Sequence, residues 1–146
     1  MLPEHCTNYN ILDSPSRNYM FSEWGFCNGG GCCDNQHYND HDPIDNTTIA
    51  PPDWKGNGWY RISGEAGTKI VDTPAPYSNC GTAATGFLTG GHPSPDEGMV
   101  TRTVYFAMSN HNYTNTVDVS VINCNNFYFV YYLVDIPFCW FGYCTE

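Results

Sequence analysis

Eight cysteines in a chain of 146 residues restrict what this polypeptide can become more than any other feature. No C-x2-C pair faces a second one at the spacing of a structural zinc site. Disulfides are therefore expected, and they persist in oxidising compartments. The opening stretch, MLPEHCTNYN, has neither the basic segment nor the apolar run of a signal peptide. The cysteines require secretion all the same. The numbering is thus expected to start inside a precursor, with the chain secreted or extracellular. No apolar run reaches membrane-spanning length, so no membrane contact is expected in this segment.

The cysteines alone leave the connectivity open, since eight can pair in about a hundred ways. Composition narrows the fold instead. Apolar residues make up 41% of the chain and aromatics 16%, enough to build one core in one domain. The 14 glycines, 10 prolines and 14% charged residues favour strands and loops over helices. No stretch carries convincing helical periodicity. The expected fold class is mainly β, a small disulfide-rich domain of antiparallel hairpins with long loops. A net charge of −10 argues against nucleic acid or an anionic membrane as a partner.

The clearest strand signals lie between Val117 and Cys144. Val117, Val119 and Val121 alternate with Asp118 and Ser120, the period of a half-buried strand. Asn123 to Asn126 reads as a turn. Phe127 to Val134 is apolar on both faces, as in a central strand or one covered by a partner. Met99 to Met108 reads as a further strand, and Ser109 to Asn115 as a polar loop. Tyr9, Ile11 and Leu12 form a short edge strand ending at Asp13-Ser14-Pro15. WYRISGEAGTKIV, from Trp59 to Val71, is expected to be a hairpin bending at Glu65-Ala66-Gly67.

Residues 19–58 read as one long irregular insertion within the single domain 1–146. It contains Gly29 to Gly31, Cys32-Cys33, an acidic and His-rich run, and Pro51-Pro52. Its core candidates are Tyr19, Met20, Phe21, Trp24 and Phe26. Loops of this length in compact domains are functional or disordered.

Little in the chain points to catalysis. His37, Asp40, His41, Asp42 and Asp45 offer metal-ligating groups, but their spacing lacks the glycine and the terminal glutamate of a calcium loop. They read as a solvated polar loop. His92 with Asp96 and Glu97 could form an acid/base set, yet Pro93, Pro95 and Gly98 mark a turn. Paired cysteines are not nucleophiles. Gly29 to Gly31 lacks the lysine and the helix of a phosphate loop. Neither an enzyme nor a metal or other cofactor is expected.

Dispersed motifs carry a resemblance. They are Cys6 with Tyr9, Leu12-Asp13 and Arg17; Gly58-Trp59-Tyr60-Arg61; Gly64 and Gly67; Cys80; Leu88, Gly90 and His92-Pro93; Asp96-Glu97-Gly98; Arg102; Cys124; Val130-Tyr131; and Cys139 with Tyr143-Cys144-Thr145. In these the chain resembles the cysteine-rich domain, or decoy module, of uromodulin and of pancreatic secretory granule membrane glycoprotein 2. The resemblance implies Cys6–Cys124, Cys80–Cys144 and a bridge from Cys139 to a cysteine before Trp59. By the Cys-Asp motif that partner is Cys33, which leaves Cys27–Cys32 to close the glycine loop. The choice for Cys139 among Cys27, Cys32 and Cys33 stays open. Pro74, Tyr105, Asn112 and Tyr113 stand where the family has cysteines that pair among themselves, so two whole bridges are missing and no thiol is orphaned.

Uromodulin-like modules present N-glycans that bacterial fimbrial adhesins bind. The family's glycan positions fall on Thr89 and Tyr132, which cannot carry them. Two other acceptor sequences occur, Asn46-Thr47-Thr48 and Asn112-Tyr113-Thr114. The expected function is a secreted, disulfide-stabilised glycoprotein domain acting as a non-catalytic interaction and display module. Its partners would be other extracellular proteins or glycans. The alternative is a structural subunit that assembles with itself into an extracellular filament or coat. Surplus aromatics, among them Trp24, Trp54, Trp59 and Trp140, fill a core or line a binding face.

Overall fold

The computed structural model describes residues 2–20, 53–74, 80, 84–108, 112–136 and 141–146. In chain order its strands are β1 (Asn10–Leu12), β2 (Gly58–Ile62), β3 (Ala84–Leu88), β4 (Met99–Met108), β5 (Asn112–Cys124), β6 (Tyr128–Leu133) and β7 (Phe141–Tyr143). They form one sheet in the order β1-β2-β6-β5-β4-β3-β7. The mainly β, disulfide-bonded class is the one the composition favours.

At the centre lies the β5–β6 hairpin, pairing Ser120 with Tyr132 through to Cys124 with Tyr128. Its turn works because Asn125 and Asn126 adopt φ of 55° and 63°, a region asparagine tolerates better than other side chains. β4 and β5 form a second hairpin that runs from Met99–Ile122 to Met108–Asn112. Asn112 to Asn115 therefore belong to a strand, not to the polar loop expected there; cross-strand pairing with β4 overrides their polar composition.

The stretch from Trp59 to Val71 is not a hairpin. β2 pairs in parallel with β1 and antiparallel with β6. The chain then makes a 3-10 turn at Gly64–Ala66 and runs to the C-terminal residues instead of back along β2. There Thr68 and Lys69 donate backbone N–H groups to Glu146 O, and Val71 to Cys144 O. Gly67 has φ of 110°, and an added Cβ would collide with the Glu146 backbone, so only glycine fits.

The edges of the sheet are parallel pairs, β1 with β2 and β3 with β7. Thr145, just past β7, bridges both Asn18 and Ile70, so the two edges curl toward each other. Inside the curl lie Leu12, Trp54, Tyr60, Ile62, Val104, Phe106, Val119, Val121, Tyr131, Leu133 and Tyr143. Trp54 stacks on Tyr60 at 5.0 Å and 5°, and its indole N–H donates to Asp135 at 2.7 Å. Trp54 is thus core, whereas Tyr19 and Met20, expected there from the sequence, are 40% and 71% exposed. The other candidates of that segment, Phe21, Trp24 and Phe26, lie outside the described residues.

Two smaller clusters lie apart from this core, each built around a disulfide. Cys6 is joined to Cys124, packed with Ile122 and Val130. Cys80 is joined to Cys144, packed with Val71 and Phe87. β6 is apolar on both faces for this reason: Tyr131 and Leu133 enter the core, and Val130 the Cys6 cluster.

Candidate functional site

Strand alternation puts Trp59 and Arg61 of β2 opposite the core-facing Tyr60 and Ile62. On β6, Tyr128 and Tyr132 likewise point away from Tyr131 and Leu133. An aromatic face results on the outside of the sheet. Tyr132 lies edge-on to Trp59 at 5.7 Å. The Arg61 guanidinium sits 3.9 Å from the Tyr128 ring centroid and donates to Tyr9 Oη at 3.0 Å.

The N-terminal 3-10 turn, Glu4–Cys6, hooks over this face. Its fixed points are the Cys6–Cys124 disulfide and the hydrogen bond from Tyr128 Oη to Cys6 O. His5 stacks on Trp59 at 4.3 Å and 13°. Between hook and strand opens a cleft of about 310 Å³ lined by Glu4, His5, Asn8, Tyr9, Asn10 and Trp59. A second cleft of about 260 Å³ lies by the β5–β6 turn, where Phe127 is 79% exposed.

His92, Asp96 and Glu97 do not converge. His92 Nε2 meets Tyr131 Oη at 2.8 Å, and Tyr131 Oη accepts the Ile70 N–H at 3.1 Å. The Tyr131 hydroxyl is thus engaged on two sides, by the Ile70 N–H and by the His92 ring. Burial, then the Lys69 charge, holds His92 below its ordinary pKa, while burial pushes the Tyr131 phenol up. Glu97 closes a capping box with Ser94, its carboxylate accepting the Ser94 N–H at 2.6 Å. His92 and Glu97 thus hold turns together, and Asp96 sits in the same 3-10 turn as Glu97.

Of the other singled-out residues, Cys27, Cys32, Cys33, Cys139, Asn46, the Gly29 to Gly31 run and the His37 to Asp45 cluster lie outside the described residues. Asn112 opens β5 opposite Met108. Thr89 donates its hydroxyl to Thr103 O at 2.7 Å, and Tyr132 belongs to the aromatic face. The hook and its cleft went unread in the sequence. Their one local signal was the alternation Trp59-Tyr60-Arg61, which places a tryptophan and an arginine on the same side of a strand.

Residues 60–145 match the family model of the uromodulin-like domain. The chain belongs to this family. Uromodulin of Rattus norvegicus is 38% identical over 90 residues, covering 62% of this chain and 14% of that protein. The pancreatic secretory granule membrane major glycoprotein GP2 of Canis lupus familiaris is 31% identical over 141 residues, 97% of this chain and 23% of the relative. Its Homo sapiens counterpart is 29% identical over 140 residues, 96% of this chain and 22% of the relative. The chain thus spans under a quarter of the length of these curated relatives. As a uromodulin-like domain it is an extracellular, disulfide-bonded glycoprotein module. No helix among the described residues is long and apolar enough to cross a membrane.

Proposed function

We propose that this uromodulin-like domain is a non-catalytic interaction and display module whose contact surface is the aromatic face around Trp59. The observation that carries this reading is the division of labour among its aromatic and polar groups. Trp54, Tyr60, Tyr131 and Tyr143 are buried in the core, whereas His5, Tyr9, Trp59, Arg61 and Tyr132 remain at least partly accessible. Accessible aromatics and arginine are the residues most enriched in contact surfaces. Two of the three groups that could have formed an acid/base set, His92 and Glu97, are engaged in holding turns. N-glycans on Asn46 and Asn112 would be displayed by the same domain. In this reading Cys33–Cys139 and Cys27–Cys32 complete the oxidised set, and the segment of residues 19–58 is an insertion anchored at both ends. Partners are extracellular proteins or glycans.

The test is binding of the fluorescent domain to an array of extracellular proteins and glycans, compared with a Trp59→Ala variant. Discrete binders that are lost in the variant are expected. Binders retained in full by the variant would move the contact surface elsewhere, and an array without binders would favour the self-assembling subunit.

A further inference from the structure

The cleft between the N-terminal hook and β2 has the makings of a small-ligand site. Its walls are rigid: the hook is held at Cys6 by a disulfide and by Tyr128, and Trp59 is part of β2. Its volume, about 310 Å³, falls at the lower end of ligand sites and accommodates a single six-membered ring. One side is aromatic, formed by Tyr9 and by the part of Trp59 that the stacked His5 leaves uncovered. The rest is lined with groups that have hydrogen-bonding capacity to spare. Among the described residues, the Glu4 carboxylate, the His5 ring nitrogens and the Asn8 carboxamide make no hydrogen bond to protein, and Asn10 uses only one amide N–H, at 3.4 Å to Trp59 O. Water satisfies such groups in the free protein, and ligand hydroxyls can replace it.

An aromatic surface beside carboxylate and carboxamide groups suits a ligand with an apolar C–H face and a rim of hydroxyls. That combination describes a pyranose. Charge restricts it further, because Glu4 lines the cleft and the whole chain carries −10. A carboxylated, sulfated or phosphorylated sugar would be repelled. We propose that the Glu4–His5–Asn8–Asn10–Trp59 cleft binds a neutral pyranose, one terminal residue of a glycan. The proposal rests on the interaction-module reading and gives it a ligand class.

The experiment is a ¹⁵N–¹H NMR titration of the domain with methyl glucoside, galactoside, mannoside and N-acetylglucosamine, with glucuronate and an oligolysine peptide as comparators. At least one neutral sugar should shift the Trp59 indole N–H and the Asn8 and Asn10 side-chain amides in a saturable way, and glucuronate should not. Asn8 is exposed, so Asn8→Ala keeps the fold and should weaken that sugar about three- to tenfold. Glu4→Gln should let glucuronate bind more nearly as the neutral sugar does. Absence of saturable shifts with every neutral sugar overturns the proposal, as does unchanged affinity in Asn8→Ala. Shifts from oligolysine alone would overturn it too, by assigning the cleft to basic peptides. Trp59-dependent array binding that survives a negative titration leaves the module reading standing, so the two can fail separately.

Discussion

Arg17 and Asp53 face each other with two parallel hydrogen bonds of 2.9 Å, and both side chains are only 3% exposed. The pair joins the segment after β1 to the chain that leads into β2. Arg17 also donates to Tyr143 O at 3.3 Å, and Asp53 accepts the Ser14 N–H at 2.9 Å. Those contacts tie three remote parts of the chain together where the sheet edges meet.

Burial alone would raise the Asp53 pKa, but the Arg17 charge and hydrogen bonds from Arg17, Ser14 and Asp13 outweigh it and hold the carboxyl below its ordinary value. A carboxyl depressed in the folded state binds fewer protons there than in the unfolded chain. Its stabilisation is complete above about pH 4 and is lost as pH falls through the lower folded value. Asp53→Ala removes the two charge-assisted hydrogen bonds that buried Arg17 makes to the Asp53 carboxylate and should cost about 3–5 kcal/mol. Urea titrations of the variant at neutral pH measure that loss, and below about pH 4 the difference from the parent domain should shrink.

His92 gives a second pH window at higher pH. Its folded pKa is lowered, chiefly by burial and by Lys69 and Arg102 against the opposing Asp72 and Glu146. The unfolded chain takes up a proton first, so stability is full above about pH 6.5 and declines as pH falls through the window below it. His92→Gln, which keeps a polar partner for Tyr131, should remove this slope. Melting temperatures between about pH 5 and 8 for both proteins check it.

The Cys6–Cys124 bridge joins residues 118 positions apart in the chain. Replacing both cysteines with alanine should cost roughly 2–5 kcal/mol and free the hook that forms the Trp59 cleft. Chemical denaturation gives the first quantity. Loss of the restricted Trp59 indole signal in NMR gives the second.

Removing Asp34 to Asn46 should leave the fold intact, because the buried anchors Arg17, Asp53 and Trp54 lie outside the deleted segment. That run offers only Ile44 and little else to bury, so it has no core of its own. Circular dichroism and a thermal melt close to those of the full chain are expected. A molten deletion variant would make the segment part of the core.

The central hairpin was legible because its information is local. Val117, Val119 and Val121 state the period, and an Asn-Asn turn states the reversal. Val130 and Tyr131 even disclose that both faces of β6 are covered. The supposed hairpin at Trp59 to Val71 shows where local reading stops. Gly64 and Gly67 do mark a turn, yet the partners of Thr68, Lys69 and Val71 are Cys144 and Glu146 at the far end of the chain, and no periodicity names a remote partner. The parallel edge pairs were hidden for the same reason. Trp54 stands in a polar stretch without period, so its place against Tyr60 and Tyr143 could not be read. The cleft needs the N-terminal hook and β2 together, which the Cys6 motif hinted at only through the family pairing.

Native mass spectrometry of the purified domain, before and after enzymatic removal of N-glycans, tests the interaction-module reading most directly. It reports oligomeric state, cysteine oxidation and glycan occupancy in one measurement. A displayed interaction module predicts a monomer with all eight cysteines oxidised, whose mass drops on deglycosylation while the monomer persists. A ladder of multimers that survives deglycosylation, or a monomer with free thiols, would contradict it.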